Sequence, residues 1–335
     1  MIITKAPFRM SFFGGGTDYP PFFNKFGGSV LSTTFDKYAY VTIRHLPHFF
    51  QYKTKLSYST IEKVNTIEEI KHPLIRESMR YLNMHNLHIT YDADLPARSG
   101  LGSSSSFAAA LLGGLHALKG QYISDEELAK ESIYIERTMC AEDGGWQDQV
   151  AACYGGLNRI NFTENNFEVL PLIMSESRKQ ELNNNLMLFF TGFTRFSSEI
   201  AKEQVKVISN KDKEEQLLQM KKLVDEAECI LRSNSTDLDD FGRMIDYAWK
   251  LKRGLTDKIS TSELDEIYTK AINAGALGGK LLGAGGGGFF VFYVPKENQM
   301  KVLKTLDKLM YIPFKFESSG MQVLHYTPEY YEENL

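Results

Sequence analysis

Apolar and polar residues alternate along Leu87-His88-Ile89-Thr90-Tyr91-Asp92-Ala93-Asp94-Leu95, the period-two pattern of a strand. Residues 39–45 read the same way, and the apolar start of the chain before Gly14 predicts a further strand. Residues 106–119 are apolar nearly all round, so the helix they predict is a buried one. Ser124-Asp125-Glu126-Glu127 has the form of a capping box and predicts a helix to about Cys140, before Gly144-Gly145 breaks the pattern. Beyond about residue 160 the character changes. A buried strand is predicted at 185–191, then helical stretches at about 197–233, 238–255 and 262–274, with the charged run 211–215 as a solvated face. Residues 289–294 form a strand after a glycine cluster, a short helix follows, and 323–326 make the last strand. A mixed first half beside a helix-rich second half predicts an α+β fold of two domains, 1–160 and 161–335, with a ligand cleft between them.

Composition narrows the partners. A chain of 335 residues with 43% hydrophobic and 24% charged residues is globular and long enough for two packed domains. The net charge of -4, with the 38 basic residues spread along the chain, argues against a nucleic-acid partner. The 3 cysteines (Cys140, Cys153 and Cys229) are irregularly spaced and give neither a disulfide framework nor a zinc pattern. The start of the chain lacks the apolar core of a signal peptide, and no apolar run has the roughly 18 residues of a membrane span. The expectation is a soluble cytoplasmic protein with no membrane partner.

Three glycine clusters carry the candidate chemistry. The first to weigh is Pro96-Ala97-Arg98-Ser99-Gly100-Leu101-Gly102-Ser103-Ser104-Ser105-Ser106, between a predicted strand and a predicted helix. Strand, glycine-rich turn and helix N-terminus is an arrangement that binds phosphate, because unpaired N–H groups and the positive end of the helix dipole face the anion. The serines add hydroxyls for phosphate oxygens or a phosphate-bound cation, whereas a plain helix cap would use one. Gly14-Gly15-Gly16-Thr17-Asp18 follows a strand that carries Arg9 and marks a tight turn or a close backbone approach. Arg9 suits a phosphate or carboxylate, and Asp18 suits paired sugar hydroxyls. Gly283-Ala284-Gly285-Gly286-Gly287-Gly288 spells the dinucleotide fingerprint in reversed context, with a helix expected before it and a strand after it, so it reads as a backbone cradle facing the cleft. Asp240-Phe241-Gly242 lacks the catalytic loop of protein kinases, and Leu281 after Lys280 excludes a P-loop. A magnesium-nucleotide enzyme also needs a carboxylate on the metal and a group that orients or deprotonates the acceptor hydroxyl. Glu136 and Asp148 are suited to those roles, and Glu142 and Asp143 qualify equally by residue type. The pairs His45/His48 and His85/His88 lack further ligands and read as surface or packing residues.

Together these clusters resemble the GHMP kinase superfamily over essentially the whole chain. Ala6-Pro7-Phe8-Arg9 with the 14–18 run resembles its first motif, 96–106 its phosphate loop and 283–288 its third motif. The finer strings Gly14-Gly15-Gly16-Thr17-Asp18-Tyr19-Pro20 and Gly144-Gly145-Trp146-Gln147-Asp148-Gln149 are similar to the bacterial D-glycero-D-manno-heptose phosphate kinases, the second being shared with L-fucokinases. The resemblance implies a mixed α/β N-terminal ATP-binding domain and a helix-rich, ferredoxin-like C-terminal domain with the active site in the cleft between them. It implies ATP held along Pro96, Ser99, Gly100, Leu101, Gly102, Ser103, Ser104 and Ser105, and Mg2+ held by Ser104 and Glu136. Asp148 would be the base or orienting group and Arg9 would stabilise the transferring phosphoryl. Gly15, Gly16, Thr17 and Asp18, with Gly285 and Gly286, would contact a sugar phosphate. A phosphorylated acceptor demands a second anion site, for which Arg195 in Thr191-Gly192-Phe193-Thr194-Arg195 is nominated, with Lys37 and Arg44 behind it. The implied reaction phosphorylates the anomeric C1 hydroxyl of D-glycero-D-manno-heptose 7-phosphate to the 1,7-bisphosphate, for nucleotide-activated heptose and surface glycans. A kinase of an unphosphorylated sugar such as L-fucose and a non-catalytic sugar-binding protein are the alternatives. The oligomeric state is left open.

Overall fold

The computed structural model describes residues 1–97, 99–192 and 213–328. β1 (Ile2–Phe13) and β2 (Gly28–His45) run antiparallel, joined by the 14–18 turn and the short helix α1 (Pro20–Phe26). β2 reaches well beyond 39–45 because its first half is buried on both faces, which erases the alternation that its second half keeps. β3 (Thr54–Ser57) and β4 (Ile61–Val64) form a hairpin, α2 (Pro73–Tyr81) follows, and β5 (Leu87–Ala93) pairs with β2 and β3. The serine run itself opens α3 (Ser103–Leu118), which is buried along almost its whole length against β1 and β2. α4 (Asp125–Tyr134) starts with the expected capping box, the Ser124 hydroxyl accepting from the Glu127 N–H and the Glu127 carboxylate accepting from the Ser124 N–H. It does not continue as an α-helix to Cys140. Residues Ile135–Met139 form a π-helical turn, with the Cys140 N–H donating to the Ile135 carbonyl at 2.8 Å. α5 (Gln147–Tyr154), β6 (Leu157–Thr163) and β7 (Asn166–Pro171) complete the first half.

The second half runs through α6 (Glu176–Asn185), β8 (Leu186–Phe190), α7 (Glu214–Arg232), α8 (Asp239–Arg253) and α9 (Ser262–Asn273). β9 (Gly278–Leu281), β10 (Phe289–Tyr293), α10 (Gln299–Thr305), β11 (Met310–Ile312), β12 (Phe316–Glu317) and β13 (Gln322–Tyr326) follow. The 283–288 cluster therefore lies in a hairpin between antiparallel strands, not between a helix and a strand. Gly278-Gly279-Lys280-Leu281 has no alternation to betray a strand, since all four residues are buried.

Among the described residues, one sheet has nine strands, ordered β13-β1-β2-β5-β3-β4, with β6 and β12 attached along β2 and β7 paired to β6. A smaller sheet is ordered β11-β8-β10-β9. A boundary at residue 160 falls inside β6, and the end of the chain returns to the first sheet, where β12 pairs with β2 and β13 with β1. The two halves also share a core. Phe8, Met10, Phe12 and Phe35 pack with Val224 of α7, Phe241 and Ile245 of α8, and Phe289 of β10. Phe241 sits edge-on between Phe12 and Phe13, with ring centroids 5.4 and 5.2 Å away. Among the described residues no helix is long and apolar enough to cross a membrane.

Candidate active site

The end of β1, the start of α3, the π turn and the β9–β10 hairpin meet around a cavity of about 440 Å³. Gly102 is the N-cap of α3, its left-handed backbone (φ +73) turning the chain into the helix, and as a glycine it puts no capping side chain over that end. Ser103, Ser104 and Ser105 line the cavity at this N-terminus. Behind them lies Glu136, almost fully buried. Its carboxylate accepts from the Ser104 and Ser105 hydroxyls, both at 2.8 Å, and from the Gln149 amide at 2.6 Å. Glu136 stands within the π turn and continues the buried stripe that Leu128 and Ser132 begin on α4. One buried carboxylate beside a serine hydroxyl suits Mg2+, which prefers hard oxygen donors and completes its shell with phosphate oxygens and water. Among the described residues there is no cluster of three or more His, Cys, Asp or Glu side chains that could cage a metal with protein alone.

Arg9 and Asp148 form the centre of the cavity. The buried guanidinium meets the carboxylate in a two-point ion pair, Nε to Oδ1 at 2.8 Å and Nη2 to Oδ2 at 2.9 Å, and Nη1 donates to the Gly100 carbonyl at 2.5 Å. A Cβ on Gly102 would lie 3.3 Å from both Arg9 and Asp148, so the helix start and the ion pair are in direct contact. Asp18 is buried at the adjoining turn and accepts from the Gly16 N–H at 2.9 Å. Burial pushes its carboxyl above the ordinary range, the Gly16 bond opposes this, and nearby Asp148 adds to the rise. Gly145 lies so close that a Cβ there would stand 1.9 Å from Asp18 Oδ2.

Of the sequence-predicted residues, the cavity brings together Arg9, Gly15, Gly16, Asp18, Gly100, Gly102, Ser103, Ser104, Ser105, Glu136 and Asp148. It does not take in the others. Thr17 is buried against β2, its hydroxyl donating to the Ser29 carbonyl at 2.8 Å. Leu101 and Ser99 are buried beneath the loop, and Pro96 is exposed outside the cavity. Gly285 and Gly286 turn away from the cavity towards Ile259, whose carbonyl accepts the Gly286 N–H at 3.0 Å, and Gly283 and Ala284 line the wall instead. Lys37 bonds to Asp36 and Arg44 to His88, both outside the cavity. Arg195 lies outside the described residues.

Residues 65–156 match the GHMP kinases N-terminal domain, and residues 227–312 match the GHMP kinases C-terminal domain. The chain belongs to the GHMP kinase family. It is an ATP-dependent phosphotransferase. This GHMP kinase is 28% identical to the D-glycero-alpha-D-manno-heptose 7-phosphate kinase of Campylobacter jejuni, over 96% of its own length and 98% of the relative's. It is 26% identical, over 90% of its length, to the bifunctional fucokinase/GDP-fucose pyrophosphorylase of Arabidopsis thaliana, of which it spans 30%. The crystal structure of a D-glycero-D-manno-heptose 1-phosphate kinase from Bacteroides thetaiotaomicron aligns with a TM-score of 0.79 at 25% identity, covering 97% of this chain and 99% of that one. Phosphomevalonate kinase of Streptococcus pneumoniae shares the fold, with a TM-score of 0.74 at 14% identity over 95% of this chain and 100% of that one.

Both matched regions of the GHMP kinase reach the cavity, Glu136 and Asp148 from the first and Lys252, Lys280 and Gly283 from the second. The two lysines escape a reading of the sequence for site residues, although Lys252 leaves a trace. Phe241, Ile245, Ala248 and Trp249 are the buried stripe of α8, and Lys252 falls on the same stripe one turn further on. Ser11 and Arg137 also line the cavity without any local motif to announce them, while Gln147 lies in the 144–149 string beside Asp148.

Proposed function

We propose that this GHMP kinase transfers the γ-phosphoryl of ATP to the anomeric hydroxyl of D-glycero-D-manno-heptose 7-phosphate. The observation that carries the reading is the meeting, at one cavity, of a serine-rich helix N-terminus, the buried Glu136, the Arg9–Asp148 ion pair and Asp18. End-to-end likeness to a heptose phosphate kinase supports the choice of acceptor.

In this reading the ATP phosphates lie against the N–H groups at the start of α3, where the helix dipole favours negative charge. Ser104 and Glu136 would hold Mg2+, which when bound offsets charge on the phosphates. Arg9 presents its guanidinium to the transferring group, and its bond to the Gly100 carbonyl keeps it beside the loop. Asp148, gripped at both oxygens by Arg9, is fixed in orientation towards the acceptor hydroxyl. As the new O–P bond forms and the bond to the ADP oxygen breaks, the hydroxyl proton passes to the Asp148 carboxylate. Asp18, with Gly15 and Gly16, holds the sugar hydroxyls on the other side of the pair.

Asp148→Asn keeps the shape and removes the proton acceptor, and is expected to lower kcat by roughly 10²–10⁴-fold with the sugar KM little changed. A coupled ADP-release assay measures this, and NMR of the product assigns the phosphorylated position. Wild-type turnover by the variant would overturn the mechanism. L-fucose is the second acceptor to test, because the chain is also similar to a plant fucokinase. Faster turnover of fucose than of heptose 7-phosphate would replace the acceptor and keep the mechanism.

A further inference from the structure

Lys252 and Lys280 are both buried in the wall of the cavity, 7% and 5% exposed, and among the described residues neither has a carboxylate within ion-pair distance. Their bonds go to backbone carbonyls alone. Lys280 Nζ donates to Phe12 O at 2.7 Å, and Lys252 Nζ donates to Leu281 O at 3.3 Å and to Gly283 O. An ammonium has three donors, so N–H groups remain on both side chains. Beside them the Ser11 hydroxyl is buried, lines the same wall and has no partner among the described residues. Buried, unpaired cations are costly to fold, and burial together with Arg9 pushes Lys252 down to about 7. Burial and the neighbouring Lys252 push Lys280 well below the usual lysine range. Two such groups side by side, with a free hydroxyl between them and the 14–18 turn, are the donor set for a dianion.

We propose that Lys252, Lys280 and Ser11 form a second anion subsite, which takes a phosphate monoester carried by the acceptor and not the phosphates of ATP. The position supports the acceptor. Lys280 is bonded to the carbonyl of Phe12, next to Ser11 at the end of β1 that leads into the 14–18 turn. A Cβ on Gly15 would lie 3.8 Å from the Ser11 hydroxyl, so the subsite adjoins that turn directly. The serine end already has a helix N-terminus for the nucleotide. The subsite gives the proposed function its phosphate-specific contact, and in that sense rests on it.

Inorganic phosphate is the probe that does not presuppose the sugar. Calorimetric titration of phosphate into the protein saturated with Mg2+ and a non-hydrolysable ATP analogue leaves only this subsite to read. The wild type is expected to bind phosphate, and Lys252→Met and Lys280→Met each to weaken it about 10-fold or more, as loss of a charged hydrogen bond implies. In turnover, the same variants should raise the KM for heptose 7-phosphate by about 10-fold or more while the KM for ATP stays within about twofold. No phosphate binding by the wild type overturns the subsite, as does unchanged binding by folded variants. A rise in the ATP KM that matches the rise for the sugar also overturns it, assigning the lysines to the nucleotide. Should a lysine variant fail to fold, Ser11→Ala and the wild-type titration still decide. Phosphate binding that the variants lose, without turnover of heptose 7-phosphate, leaves the subsite standing and removes only the acceptor.

Discussion

Lys252 shows how one residue ties the site to the stability of the molecule. Its ammonium is buried and faces Arg9, with Asp18 and Asp148 offsetting only part of the cost, so it titrates at about 7 in the folded chain. An unfolded lysine titrates near 10.4, so between those values the unfolded chain holds more protons and stability rises with pH. A single group of this kind adds at most about 1.4 kcal/mol per pH unit across that window. Urea unfolding between pH 7 and pH 9 should therefore show stability rising more steeply in the wild type than in Lys252→Met, and parallel slopes would mean that the amine is not buried unpaired. The same residue marks a limit of legibility. Arg9, Asp18 and Asp148 could be picked out because glycine clusters or a recognisable string surround them in the chain, whereas Glu136 is singled out from Glu142 and Asp143 only by the family resemblance. Lys252 and Lys280 stand in an amphipathic helix and a buried strand, where a lysine usually marks a solvated edge, and only packing shows that both point inward.

At the scale of elements, two local departures from regular structure build the cavity. The π turn after α4 contains Glu136, whose carboxylate meets the serines, and no periodicity announces that turn, because its extra residue is stabilised by what surrounds it. The β9–β10 hairpin is the other. The sequence suggests Gly285 and Gly286 as ligand contacts, yet Gly283, Gly285 and Gly288 serve close approach of backbone to backbone. Gly283 has φ +76, and a Cβ there would stand 2.4 Å from the Gly100 Cα. Gly288 is the same case against Ser99, whose carbonyl oxygen would be 2.1 Å from its Cβ. The hairpin of the second half thus packs directly on the 99–102 loop of the first. Gly283→Ala should force the two loops apart and strain the backbone, costing about 1–3 kcal/mol. The ATP KM is expected to rise by about 10-fold, more than the sugar KM, a split that steady-state kinetics with each substrate varied in turn would resolve. Equal or absent effects on the two KM values would separate the hairpin from the loop.

For the whole molecule, the sequence divides more readily than the structure does. Composition changes near residue 160, so two domains are legible, but the return of β12 and β13 to the first sheet depends on pairings across most of the chain length and leaves no local pattern. Those returning strands and the core shared by Phe12, Phe13 and Phe241 make the halves interdependent, because removing either exposes apolar surface of the other. Unfolding is therefore expected to be a single cooperative transition even at this length. The chain contains its own reporters for this, since its 2 tryptophans are Trp146 beside Phe23 in the first half and the fully buried Trp249 on α8 in the second. Trp249→Phe leaves a fluorophore that reports the first half, and Trp146→Phe leaves one that reports the second. In each variant the urea midpoint by fluorescence should coincide with that by far-ultraviolet circular dichroism, whatever the substitution does to stability itself. Fluorescence midpoints that fall on opposite sides of the dichroism midpoint in the two variants would mean that the halves melt separately, and that the shared core contributes less than the structure implies.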